Sequence, residues 1–278
     1  MSVRRRSYLL IAPAALIYAG LFVAATVYFF VMSFWTVKLF RPVPNFTAAN
    51  YVKTAGTYWS SALSTLAIAF AIALTATLLG LLYAWLIRFK AGRWGPALLF
   101  IALITLFGGY LMKIYAWKTL LGEDGVINSA LQGLGLIDHP ISALLYSPFA
   151  VILTLTHFLL PFAILPIYGA MRGITDAEIE SARDLGARPG RIFRDIIVPR
   201  SRVGLVAGFA LAFLVCVGDY VTPRLVGGTM AMFGQMIQLQ FGTVANWPLG
   251  SAMSFTILAI ALILLLLLAR ALALVGRQ

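Results

Sequence analysis

Carboxylates are the scarce groups in this 278-residue chain, and their placement is informative because they bind cations, cap helices and pair with arginine. Five of the nine acids, Asp176, Glu178, Glu180, Asp184 and Asp195, lie in one polar stretch, residues 172–202, beside seven arginines. Asp219 stands alone in an apolar run. The two histidines, His139 and His157, are far apart, and no HExxH or comparable spacing joins either to a carboxylate. There is no GxxxxGK[ST] phosphate loop and no GxSxG nucleophile turn. No catalytic residue and no metal ligand is therefore assigned, and the chain is not expected to hydrolyse ATP by itself. His157, four residues before Pro161 in an apolar run, fits either a proton relay or a hydrogen bond to a neighbouring helix. The single cysteine, Cys216, excludes an internal disulfide and reads as an inert buried thiol.

The elements that position these groups are set by composition. Hydrophobic residues make up 62% of the chain and charged ones only 11%, against about 25% charged in a soluble domain. A spanning helix needs about 20 mostly apolar residues. Six stretches qualify, at about 9–37, 60–87, 95–117, 147–171, 203–226 and 250–269. The runs are continuous rather than alternating, which excludes barrel strands. The expectation is an all-α polytopic membrane protein, a single transmembrane domain of six helices over residues 1–278. The first run is too long for a signal-peptide core and is expected to be retained.

Charge sets orientation. Fifteen of the 21 basic residues fall on one side if both termini are cytoplasmic: Arg4, Arg5, Arg6, Arg88, Lys90, Arg93, Arg270, Arg277 and the seven arginines of the polar stretch. The positive-inside rule therefore predicts cytoplasmic termini. The net charge of +12 then reflects topology and anionic lipid, with no call for nucleic acid.

Residues 172–202 read as two short helices. Thr175 followed by Glu178 fits a capping box, and Gly186 is placed to end the first helix. Arg188-Pro189-Gly190 makes a turn, Ile192, Phe193, Ile196 and Ile197 recur at helical spacing, and Pro199 stops the second helix. Such a capped, mixed-charge pair is either a docking surface for a cytoplasmic partner or an ordinary solvated loop.

The segment Glu180-Ser181-Ala182-Arg183-Asp184-Leu185-Gly186, then nine residues, then Ile196-Ile197-Val198-Pro199, resembles the cytoplasmic-loop signature of ABC importer membrane subunits: EAA, three residues, Gly, nine residues, I-x-L-P. Ser181 and Val198 depart from it conservatively. The resemblance extends to Lys113–Lys118, Gly125–Asn128, Leu134–Asp138, Leu160–Phe162, Leu165–Tyr168, Gly218–Pro223 and Gln240–Pro248, which are similar to permeases of the spermidine/putrescine importer subfamily. It implies a type I importer permease fold with a cytoplasmic coupling helix, in a bacterial inner membrane. It implies a second, homologous permease forming a heterodimer, two ATPase subunits and a periplasmic or lipid-anchored solute-binding protein. ATP and Mg would sit on the ATPases, with no cofactor on this chain. Glu180, Ser181, Ala182, Gly186, Ile196 and Pro199 would form the ATPase-coupling surface. The solute would be a small polar molecule, a polyamine or related cationic or zwitterionic amine, moved by alternating access. A stand-alone secondary transporter or channel is the alternative; it predicts inverted repeats and several intramembrane charges, and neither is evident.

Asp219, with Tyr220 beside it, is the candidate solute contact, since an intramembrane carboxylate is costly and usually faces a cavity or a partner. The other reading has Asp219 pairing with Arg224 or capping a helix. Tyr110, Lys113, Tyr115 and Trp117 form either an outer gate or an interfacial belt.

Overall fold

Four runs stay helical long enough, and apolar enough, to cross a bilayer unbroken. In the computed structural model, which describes residues 3–275 and the side chains of residues 11–270, they are α1 (Ile11–Met32), α3 (Trp59–Lys90), α7 (Pro148–Met171) and α13 (Trp247–Val275). Between α1 and α3 come a hairpin, β1 (Thr36–Lys38) and β2 (Arg41–Val43), and a short helix, α2 (Ala49–Thr57). After α3 follow α4 (Gly95–Phe107), α5 (Tyr110–Leu121) and α6 (Val126–Gly133). After α7 follow α8 (Asp176–Asp184), α9 (Pro189–Arg200), α10 (Arg202–Val217), α11 (Val221–Val226) and α12 (Phe233–Gly242).

Two of the six expected spans are broken. Residues 95–117 were expected as one helix, but the chain turns by 99° between α4 and α5. Gly108 is extended, with φ −63° and ψ 127°, and Gly109 is similar, so the helical ladder stops there. The stretch 203–226 also divides: α10 ends at Val217, and Gly218–Tyr220 separates it from α11. The helix leading into it, α9, meets α10 at 66°. With Gly92–Phe107 and Tyr110–Gly133 taken as one bent span, and α9 with α10 as another, up to six could cross. The first span is shorter than 9–37, because Ser33 and Phe34 turn the chain into the hairpin. Of the orientation charges, Arg277 and the side chains of Arg4, Arg5 and Arg6 lie outside what is described.

The described chain divides into two units. In the first, residues 1–60 with 236–260, aromatic rings join α1 to α13: Phe30 meets Phe255 edge-on at 5.1 Å, and Phe29 stacks on Trp247 at 6.2 Å. Asn50 ties the turn after α1 to α2 by donating to the carbonyls of Ser33 and Trp35.

In the second, residues 61–235 with 261–278, α7 is the central helix. Lipid tails are as apolar as leucine, so close packing rather than exclusion from water must hold such helices together. Glycines provide it. A Cβ on Gly204 of α10 would lie 2.4 Å from the Pro166 carbonyl of α7, and one on Gly208 would lie 3.0 Å from the Ala163 carbonyl. Gly80 of α3 meets the same Ala163. Pro161 and Pro166 lie within α7, where each removes a ladder donor. Around this contact Leu155, Leu159, Ile164, Ile167 and Phe213 are buried.

Candidate functional site

Two polar clusters stand apart along α7, one beyond its C-terminus and the other against His157 and Phe158 near its middle. The first is residues 172–202. Thr175 Oγ1 accepts from Glu178 N at 3.3 Å, and Glu178 Oε2 accepts from Thr175 N at 2.9 Å, the reciprocal pair expected of a capping box. The Thr175 N–H, followed by the Arg200 guanidinium, holds the Glu178 carboxyl below the usual glutamate range. At the other end Gly186 N donates to Arg183 O at 2.8 Å and Ala187 N to Ala182 O at 3.0 Å. Those two bonds make a Schellman close. It requires the left-handed conformation of Gly186, φ +80°, which a side chain would strain.

After Arg188, Pro189 starts α9, and Ile192 and Ile197 are buried with Ile174 and Ile179. Pro199 does not end α9 at once; the helix runs on to Arg200. Its missing N–H and its ring are accommodated by a wider π-turn at Phe193–Ile197 just before it. Asp195 accepts from Arg194 Nε at 2.8 Å, and this bond, with the charges of Arg194 and Arg191, keeps its carboxyl below the usual aspartate range.

Among the residues expected to couple, Glu180, Ser181, Gly186 and Pro199 are exposed, and Ala182 and Ile196 are half-buried. Leu185, at the close of α8, is 87% exposed, an apolar group in a charged surface. Arg88 and Arg200 also belong to the cluster. Arg88 contacts Asp176 at 2.9 Å, and Arg200 contacts Glu178 at 3.3 Å. Sequence reasoning counted both only as orientation charges; nothing local to either points to a carboxylate 22 or more positions away.

The second cluster gathers at the two broken spans. Tyr110, first residue after the α4–α5 break, donates its hydroxyl to Asp219 Oδ1 at 2.6 Å and shares a hydrogen bond with Thr222 Oγ1 at 2.7 Å. The same Asp219 oxygen accepts from Val221 N at 3.0 Å and Thr222 N at 3.5 Å. Asp219 therefore caps α11, one of the two structural roles weighed for it. The other, an ion pair with Arg224, is not among the pairs formed by the described residues. Asp219 is 9% exposed, and its second oxygen, Oδ2, has no hydrogen-bond partner among the described residues. Backbone closes in beside it: a Cβ on Gly234 would lie 2.7 Å from the Asp219 carbonyl. Thr222, not foreseen, follows Asp219 by three residues, the spacing of a helix-start signature.

The remaining candidates separate. Tyr110, Lys113 and Trp117 share the face of α5 that meets α7. Tyr110 packs on Phe158 at 4.6 Å, Lys113 lies over the same ring and donates to the Thr105 carbonyl, and Trp117 Nε1 donates to His157 Nδ1 at 3.2 Å. His157 thus takes the interhelix bond of its two readings. Tyr115 is 53% exposed, and Tyr220 is 42% exposed in the second break. Cys216 is fully buried. Among the described residues no group of three His, Cys, Asp or Glu side chains could hold a metal ion.

Broken apolar helices around a buried carboxylate, with a capped polar helix pair beyond the C-terminus of α7, suit a polytopic membrane subunit. Residues 89–276 match the family of binding-protein-dependent transport system inner membrane components, and the chain belongs to that family. It is 33% identical over 235 residues to the spermidine/putrescine transport system permease protein PotB of Escherichia coli K12, spanning 84% of this chain and 85% of the relative. It is 32% identical over 217 residues to the inner membrane ABC transporter permease YdcU of the same organism, covering 74% and 68%. The fold is that of a chain in a bacterial ABC transporter importing the acidic polysaccharide alginate, with a TM-score of 0.70 at 17% identity over 97% and 96% of the two chains. It also resembles a chain of the MetNI methionine ABC transporter, with a TM-score of 0.53 at 22% identity over 78% and 94%. The protein is thus an inner-membrane ABC importer permease, a subunit that itself performs no catalysis.

Proposed function

We propose that this permease imports a small polyamine or related amine, as one half of a heterodimer with a second, homologous permease. A periplasmic or lipid-anchored binding protein delivers the solute, and two ATPase subunits carrying ATP and Mg drive alternating access. Both termini face the cytoplasm, and residues 1–278 act as one membrane domain. Glu180, Ser181, Ala182, Gly186, Ile196 and Pro199 form the surface on which the ATPase acts.

The observation that carries the cationic solute is the Oδ2 of Asp219, a nine-tenths-buried carboxylate oxygen left without a partner. An unfilled carboxyl oxygen in a low-dielectric wall favours a hydrogen-bond donor such as an ammonium group. Tyr110 lies beside it and Tyr220 next in the chain; an aromatic face adds attraction for a cation. Lys113 forms no ion pair with Asp219 among the described residues; its ammonium donates to the Thr105 carbonyl and lies over the Phe158 ring. Trp117 and Tyr115 serve as rim residues of the same pathway.

The test is uptake. Cells carrying the complete importer should accumulate labelled spermidine or putrescine only while ATP is present, and either amine should raise the melting temperature of the cognate binding protein. A binding protein stabilised only by an anionic phosphonate or a sugar would overturn the amine assignment.

A further inference from the structure

The contacts that hold α8 in place come from outside it. Arg88, in the π-turn that ends α3, uses one guanidinium nitrogen twice: Nη2 donates to the Ile174 carbonyl at 2.8 Å and lies 2.9 Å from Asp176 Oδ1. Arg200, at the end of α9, sets its Nη2 3.3 Å from the Gly173 carbonyl and 3.3 Å from Glu178 Oε1. Gly173 and Ile174 lie in the turn after α7, whereas Asp176 and Glu178 open α8. Each arginine therefore grips both sides of the joint between α7 and α8.

The two grips differ. The Arg88 side chain is 22% exposed and lies over the Phe89 ring at 4.9 Å, while Arg200 is 54% exposed with longer contacts. Asp176 is 73% exposed, and a pair so open to water adds little to stability. What Arg88 supplies is direction, because a charge-assisted bond to a carbonyl fixes a distance and an angle. Among the described residues Arg88 makes the ion pair that joins α3 to α8. A cleft of about 470 Å³ opens between them, with Trp85, Arg88 and Lys90 on one wall and Asp176, Glu180 and Arg183 on the other. The neighbouring tie, Trp85 edge-on to Phe193 at 5.8 Å, reaches α9 and not α8.

We propose that Arg88 is a positioning residue that ties α8 to α3, so that movement of the coupling helix reaches the second span together with the fourth. This rests on the reading of α8 as the helix on which the ATPase acts. Without Arg88, α8 follows the fourth and fifth spans, and the second lags.

The test uses the complete importer with its second permease and ATPase subunits. Nitroxide labels at Ala177→Cys and Arg93→Cys, both exposed positions outside the proposed ATPase surface, read the distance between α8 and the connection after α3, without nucleotide and with ATP plus vanadate; a separate Ser181→Cys label reports docking. With Arg88 present, a single narrow distribution is expected in both states. Arg88→Met keeps the length of the stem and removes both contacts; it should lose the narrow peak in the nucleotide-bound state. Arg88→Lys should restore that peak, because one Nζ can serve both acceptors as one Nη2 does. If Arg88→Met does not assemble, Asp176→Asn, which removes the ion pair and leaves the carbonyl bond, should broaden the peak in its place. An Arg88→Met or Asp176→Asn distribution as narrow as the parent overturns the tie, and so does an Arg88→Lys distribution as broad as that of Arg88→Met. A Ser181 label whose mobility is the same with and without the ATPase subunits counts against the docking reading of α8, which separates that failure from failure of the tie.

Discussion

The two polar clusters of this permease, one beyond the C-terminus of α7 and one against its middle, handle charge in opposite ways. In residues 172–202 the carboxylates are exposed and mostly paired: Glu178 with the Thr175 N–H and Arg200, Asp176 with Arg88, Asp195 with Arg194. Charge there shapes a rigid surface and costs little, because water solvates what the partners do not. In the second cluster a single carboxylate is buried, and its bonds fall on one oxygen. A buried polar group with an open acceptor is expensive and persists where function or a partner repays it. One cluster is thus a paired, water-facing surface, and the other a buried carboxylate with one oxygen left unbonded among the described residues.

The largest expected effect breaks the first cluster. Gly186→Val forces a β-branched residue into φ +80°, at a cost of roughly 1–2 kcal/mol or more, and so disrupts the close of α8. Membrane insertion should be retained, while solute moved per ATP hydrolysed falls roughly tenfold, the factor that about 1.4 kcal/mol represents. Unaltered uptake per ATP in reconstituted vesicles would contradict the coupling role. Next comes the second cluster. Asp219→Asn keeps the shape and removes the charge, so half-saturation for spermidine uptake should rise roughly tenfold, with the yield of assembled complex unchanged. Wild-type kinetics would remove Asp219 from the selectivity argument.

A smaller effect is expected from Tyr110→Phe, which deletes the bond between the two broken spans. A hydrogen bond to a charged group contributes about 1.5–3 kcal/mol, so the detergent-solubilised importer should melt several degrees lower. An unchanged melting temperature would show that the bond does not join the breaks. The smallest effects belong to the cap of α8. Thr175→Ala should cost the helix about 1 kcal/mol, read as faster amide exchange at Ala177–Ile179. Because the Glu178 carboxyl is depressed in the folded state, its contribution is fully present at neutral pH. It fades as the pH falls below the ordinary glutamate value of about 4.3 and is lost once the pH passes below the folded value. Amide exchange that ignores this window would place the cap elsewhere.

What could be read from the sequence follows the range of the interactions. The capping box, the glycine close and the two-helix form of residues 172–202 depend on neighbours within five positions, and all were foreseeable from residue type and spacing. The long apolar runs announced the straight spans for the same reason. The breaks were harder. Gly108-Gly109 sits inside an apolar stretch, where hydropathy registers no interruption although two adjacent extended glycines turn the chain by 99°. Asp219, Tyr110 and Lys113 were each visible as candidates, but Tyr110 meets Asp219 across 109 positions, and no local pattern encodes that pairing. Lys113 illustrates the converse: its type suggested a charge in the pathway, and its tertiary neighbours, a carbonyl and an aromatic ring, engage it. Arg88 and Arg200 were legible as charges of orientation and illegible as contacts, because positive-inside statistics and specific pairing use the same residue types.

The contrast between the clusters is tested most directly by asking which one touches the ATPase. A photo-crosslinking residue at Ser181, in the complete importer in native membranes, should yield an adduct with the ATPase subunit. The same group at Tyr115, exposed beside the second cluster, should yield none. An ATPase adduct from position 115, or its absence from position 181 in an assembled complex, would contradict the account.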